Sequence, residues 1–90
     1  MPRFIVLDAA DNVAVAMEEA AKGANASLSP EGEIVLRDAV PFAHKVAIQP
    51  IAAGGMVIKY GQVIGQARTN IAVGDYVHVH NIKSFRNQVA

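Results

Sequence analysis

Two ten-residue stretches, "IAAGGMVIKY" (Ile51 to Tyr60) and "IAVGDYVHVH" (Ile71 to His80), repeat one another at a shift of twenty positions. Ile51 matches Ile71, Ala52 matches Ala72, Gly54 matches Gly74 and Val57 matches Val77. A weaker echo, "AAKGANAS", surrounds Gly23. The physical reading is one unit used twice: an apolar anchor, a tight turn, then a short strand. Such a turn needs a residue at positive φ, where a Cβ is penalised, so Gly54 and Gly74 are expected at equivalent turns. Short strands at regular spacing between glycine turns predict an all-β domain, curled rather than flat.

The rest of the chain is punctuated in the same way. "RFIVLD" (Arg3 to Asp8) is short and β-branched, hence a strand, and "AADN" after it is a turn. "VAVAMEEAAKG" is ambiguous. Asp11 is a good helix N-cap and Ala and Glu favour helix, but the alternation from Val13 to Ala16 suits a strand equally well. "NASLSPEGE" reads as a turn-rich excursion around Pro30 and Gly32, and "IVLRDAV" as the returning strand. Pro41 breaks the run before "AHKVAIQP", a short strand closed by Pro50. Gly61 and Gly65 in "YGQVIGQA" predict a kinked turn with a bulge.

Ninety residues make one domain, taken as 1–90. Eight basic and eight acidic residues cancel, and no basic stripe interleaved with aromatics occurs, so there is no footprint of a nucleic-acid partner. Zero net charge with a 52% hydrophobic composition favours association, with a second copy or with a larger partner. The absence of cysteine excludes disulfides, a thiolate nucleophile and iron–sulfur ligation by this chain. No apolar run reaches membrane-spanning length, and the N-terminus does not read as a secretory signal, so a cytoplasmic protein is expected.

Chemistry concentrates in "GDYVHVHN" (Gly74 to Asn81). On a strand, Tyr76, His78 and His80 would share one face, and Val77 and Val79 would face the core. Imidazoles at i and i+2 lie about 7 Å apart and could chelate one divalent ion, but a metal site needs a further ligand. A solvated strand face explains the pair as well. His44 in "PFAHKVAI" reads as a partly exposed structural histidine. Lys59 in "VIKYG" is either an edge lysine that blocks strand-to-strand aggregation or a desolvated catalytic amine. Asp8, Asp11 and Asn12 could form a polar cluster, though turn chemistry already explains them.

Four motifs in order, "DNVAVA" (Asp11 to Ala16), "HKVAI" (His44 to Ile48), "VIKYGQVIGQA" (Val57 to Ala67) and "GDYVHVHN", resemble the small SAF-type domain of the altronate/galactarate dehydratase family. The resemblance covers about residues 4–84. It implies a β-clip fold and a β-elimination of water, or of sulfite, from a sugar acid or hydroxy acid. In that family the domain is the N-terminal part of a long dehydratase or a separate small subunit, and sulfolactate sulfo-lyase has a similar small subunit. It further implies a divalent metal such as iron(II) or manganese, with His78 and His80 as ligands on the H-x-H-N motif. Catalytic roles are implied for His78, His80, Asn81, Lys59 and His44, with Asn81 orienting an imidazole or touching a substrate hydroxyl. A chain this small cannot enclose a polyhydroxy acid, so a large catalytic subunit or domain is expected to complete the site. The tail "IKSFRNQVA" ends where fused members continue, which favours a separate subunit. The alternative is a non-catalytic carbohydrate-binding or assembly module, because SAF-like domains also occur in such proteins.

Overall fold

A computed structural model describes residues 1–85. Nine strands account for its regular structure: β1 (Arg3–Ile5), β2 (Val13–Ala16), β3 (Asn25–Ser29), β4 (Glu33–Val35), β5 (Lys45–Ala47), β6 (Met56–Lys59), β7 (Gln62–Ala67), β8 (Tyr76–Val77) and β9 (Ile82–Ser84). No helix occurs among the described residues. The strands form a six-stranded sheet, ordered β4-β3-β1-β2-β5-β8, and a three-stranded sheet, ordered β6-β7-β9. The β1–β3 pair is parallel and the other pairs are antiparallel. The all-β expectation holds.

The central strands β2 and β5 are buried on both faces, and alternation sends their side chains to two cores. Ala14, Ala16 and Val46 join Phe4, Leu36 and Val40 on one side. Val13 and Ala47 join Val57, Val77 and Ile82 on the other. This two-sided burial decides the ambiguous "VAVAMEEAAKG". Its first four residues pair with β1 and β5, and tertiary pairing overrides the helix propensity of the Ala and Glu that follow. "NASLSPEGE" also differs from expectation: Asn25 to Ser29 form strand β3, paired with both β1 and β4.

The repeat is deeper than the sequence alone suggests. The unit of anchor, turn and strand occurs four times, with buried anchors at Ala20, Val40, Ile51 and Ile71 and strands starting five positions later in each case. In each copy the turn closes by a backbone hydrogen bond: Ala24 N to Ala21 O, His44 N to Pro41 O, Gly55 N to Ala52 O and Asp75 N to Ala72 O. Gly23, Ala43, Gly54 and Gly74 hold the positive-φ position. Anchors pair by antiparallel bridges, Ala20 with Val40 and Ile51 with Ile71. The predicted equivalence of Gly54 and Gly74 is therefore observed, with φ of 84° and 92°.

The polar pair Asp11–Asn12 does long-range work. Asp11, 2% exposed, accepts hydrogen bonds from the backbone N–H groups of Asp8, Tyr60 and Gly61 at 3.1, 2.9 and 2.8 Å. Asn12 accepts from Ile58 N and donates to Met56 O, both at 2.8 Å. Together they hold the β6–β7 hairpin, whose turn residues Tyr60 and Gly61 both have positive φ, against the loop after β1. The predicted bulge appears as a register shift between Val57 and Ile58 opposite β7.

Candidate functional site

The antiparallel ladder between β5 and β8 builds the site. Lys45 pairs with Val77 and Val46 with Tyr76, so continuing the register by one residue sets His44 beside His78. Their ring centroids lie 5.0 Å apart. Tyr76 is the centre of the group: its ring stacks on His78 (5.5 Å, 8° between planes) and also contacts His80 at 5.6 Å. The Tyr76 hydroxyl and His44 Nδ1 are hydrogen-bonded at 2.6 Å. If His44 is protonated only on Nε2 the hydroxyl donates to Nδ1, and in the other tautomer Nδ1–H donates to the hydroxyl oxygen.

The strand geometry expected for Tyr76 to His80 is corrected by the structure. β8 ends at Val77, and His78 to Asn81 form a turn. The chain must leave the larger sheet here to pair β9 with β7 in the smaller one. Asn81 fixes the turn: its Oδ1 accepts from His78 N at 2.9 Å, and its Nδ2 donates to Tyr76 O at 2.8 Å. Val79 is therefore 70% exposed instead of facing the core. Asn81 itself is 7% exposed with its amide engaged by backbone, so it positions His78 through the main chain.

His78 also lines a groove with a volume of about 720 Å³, whose other polar walls are Lys45, Lys59, Gln62, Arg68 and Ser84. Lys59 therefore lines the same groove, from the end of β6, whereas His44 contacts both His78 and Tyr76, and His80 contacts Tyr76. Partial burial holds the His78 imidazole below its ordinary 6.5, and the charges of His44, Lys45 and His80 lower it further. Burial, then the neighbouring Lys59 charge, lowers the Lys45 ammonium in the same way. Sequence reasoning grouped Tyr76 with His78 and His80 but gave it no role, and it missed Lys45 and Arg68. Tyr76 stands two residues before His78 and Lys45 directly after His44, and both positions were readable; Arg68 carries no local signal.

Because folding lowers the affinity of His78 for a proton, the unfolded chain binds more protons just below pH 6.5. The contribution of this group to stability therefore rises with pH through that window and is lost on acidification. Melting temperatures between about pH 7.5 and about pH 5 should fall less steeply in His78→Gln than in the parent chain. Parallel slopes would refute the assignment.

Among the described residues, no three His, Asp or Glu side chains gather to hold a metal ion. His78 and His80 supply two imidazoles at most, and a zinc-like or iron-like site needs more. The chain alone does not fit a resident metal, and no chemical step is routed through one. No helix of the described residues is long and apolar enough to cross a membrane.

Residues 2–85 match the family described as the altronate/galactarate dehydratase SAF domain. Altronate dehydratase of Escherichia coli (strain K12) is 43% identical over 82 residues, which cover 91% of this chain and 16% of that protein. Altronate dehydratase of Bacillus subtilis (strain 168) is 36% identical over 85 residues, covering 93% of this chain and 17% of that one. The (2R)-sulfolactate sulfo-lyase subunit alpha of Chromohalobacter salexigens is 37% identical over 92 residues, covering 92% of this chain and 95% of that subunit. The chain thus spans about one sixth of the length of the altronate dehydratases it matches.

Proposed function

The chain belongs to the SAF-domain family of altronate/galactarate dehydratases, and from that premise we propose that it is the small component of a cytoplasmic hydroxy-acid lyase whose site is completed by a large subunit or domain. The observation that carries this reading is the Tyr76-centred group of His44, His78 and His80 at the edge of a cationic groove. β-Elimination from a hydroxy acid needs a base for the weakly acidic proton beside the carboxylate and an acid for the leaving group. His78, held below its ordinary protonation range, is neutral near pH 7 and suited to accept that proton. The hydrogen-bonded His44–Tyr76 pair is a proton donor of the kind the departing hydroxyl requires. Asn81 keeps His78 in place through its backbone.

The need for a partner is supported by the openness of this arrangement. Val63 and Val79 border the groove at 50% and 70% exposure, an apolar rim suited to being covered. A divalent metal, where the assembled enzyme uses one, would take its remaining ligands from that partner. A sulfo-lyase is the second reading, favoured by the near-complete coverage of the subunit alpha relative. Water loss and sulfite loss share the proton abstraction and differ in the group that leaves, so the small component could serve either.

The test is reconstitution. The chain is co-purified with a large dehydratase or sulfo-lyase subunit, and altronate, galactarate and (2R)-sulfolactate are assayed for 2-oxo acid and for sulfite. The complex should turn over one of them and the isolated chain none. Turnover by the isolated chain, or failure of the chain to associate with any such subunit, would sink the proposal.

A further inference from the structure

The groove beside His78 brings together three cations from three different strands or their ends: Lys45 on β5, Lys59 on β6 and Arg68 just after β7. Among the described residues no Asp or Glu lines it. Among the described residues the ion pair is Arg37 with Asp75, at 3.1 Å and elsewhere on the molecule, so no carboxylate of a described residue pairs with any of the three groove cations. Arg68 Nε donates to Ile82 O at 3.1 Å, which steadies the guanidinium against the groove wall. Lys45 is half-buried and close enough to Lys59 for the two charges to repel.

Folding a half-buried ammonium beside a second one opposes stability, and conflicts of this kind concentrate at functional sites. We infer that the groove is an oxyanion seat, in which Lys45, Lys59 and Arg68 together hold the carboxylate or sulfonate end of a small hydroxylated acid. A fork-shaped guanidinium and two ammonium groups match either a planar or a tetrahedral oxyanion. The groove volume of about 720 Å³ lies in the range of small-molecule sites. Its apolar walls, including Ile64, Ile82 and Phe85, lower the local dielectric and strengthen the attraction. The seat directs the anionic end of the molecule toward the cations and leaves its carbon chain beside His78. The identity of the acid rests on the function proposed above, whereas the charge selectivity of the groove does not.

The experiment uses the 90-residue chain without a partner. Amide resonances are followed by NMR during titration with inorganic sulfate, with galactarate and with the uncharged polyol galactitol, at constant ionic strength. Sulfate and galactarate should give saturable shifts confined to residues flanking Lys45, Lys59 and Arg68, and galactitol none. Lys45→Gln and Lys59→Gln should each weaken galactarate binding about tenfold, the effect of one charge-assisted contact. Lys22→Gln, on an exposed turn, should leave binding unchanged. Galactarate binding much tighter than sulfate would identify a carboxylate seat, and the reverse order a sulfonate seat; both support the inference.

Shifts spread over Lys22 and Lys83 without saturation, or equal response to galactitol, would overturn it using the parent chain alone. So would a result in which small anions fail to bind but the lysine variants weaken association with a large subunit, because the cations would then face an acidic protein surface. Anion binding by a chain that forms no active complex would keep the seat and refute the lyase reading. An active complex whose small component binds no anion would do the opposite.

Discussion

Replacing His78 and His80 together by Gln is expected to reduce turnover of the reconstituted complex by about 10²–10⁴, the usual loss when an acid–base group is removed. The melting temperature of the small component should barely move. His80 is exposed and His78 half-buried, and neither belongs to the two apolar cores. Exposed substitutions of this kind usually change stability by less than about 0.5 kcal/mol. What holds the turn is the Asn81 amide on the backbone of Tyr76 and His78, and the double variant leaves it intact. The two single variants separate the roles. His78 lines the groove and its proton affinity is lowered, so His78→Gln should account for most of the loss. His80 touches the site through the Tyr76 ring, and His80→Gln should cost less. Full activity in the double variant would return both residues to a solvated surface, and a large fall in melting temperature would make them structural.

His78 and His80 do lie in one neighbourhood, around Tyr76, but strand alternation is not what puts them there. Alternation along a strand was the reason for grouping them, yet the strand stops at Val77. Nothing in "YVHVHN" announces that the chain changes sheets there, because the pairing of β9 with β7 depends on residues fifteen to twenty positions upstream. Each ring lies against Tyr76. The turns were legible where glycine occupies the positive-φ position, as at Gly54 and Gly74, and faintly at Gly23. The copy from Val40 to His44 was hidden because Ala43 takes that position at φ 70°, and a sequence gives no sign of an alanine so strained. Recognising that copy would have placed His44 immediately after a turn, in the same relation to its anchor as Asp75 has to Ile71. The groove was less legible still. Lys45, Lys59 and Arg68 are ordinary surface cations until β5, β6 and β7 are folded together. Asp11 and Asn12 read as local turn formers, and Asp11 does accept from Asp8 N, but their other side-chain partners lie more than forty residues away.

The equivalent glycines should respond very differently to alanine. At Gly54 a Cβ would meet nothing within 4 Å, so Gly54→Ala carries only the cost of an L-residue at φ 84°, about 1–2 kcal/mol. Ala43 already bears that cost in its own copy of the turn. Gly74 has the same backbone conformation, but its Cβ would run into the Val35 carbonyl oxygen and crowd Arg37 N at 3.2 Å. These are backbone atoms at the end of β4 and cannot swing aside as a side chain would. Gly74 O also accepts from Arg37 N at 2.9 Å, so the clash separates two segments that a hydrogen bond holds together. Steric overlap added to φ strain puts Gly74→Ala at about 3–5 kcal/mol, a large share of the ~10 kcal/mol typical of a whole small domain. Urea unfolding of the two variants measures the difference directly through the transition midpoint. The consequence reaches the site, because the Asp75–Val77 segment that follows carries Tyr76, whose N–H is held by Asp38 Oδ2 at 3.0 Å. Gly74→Ala should therefore also separate the Tyr76 hydroxyl from His44 and lower activity in whatever fraction remains folded, whereas Gly54→Ala should keep both. Equal losses of stability in the two variants would mean that the β4 backbone yields freely at Val35, and the rigid contact argued for Gly74 would be wrong.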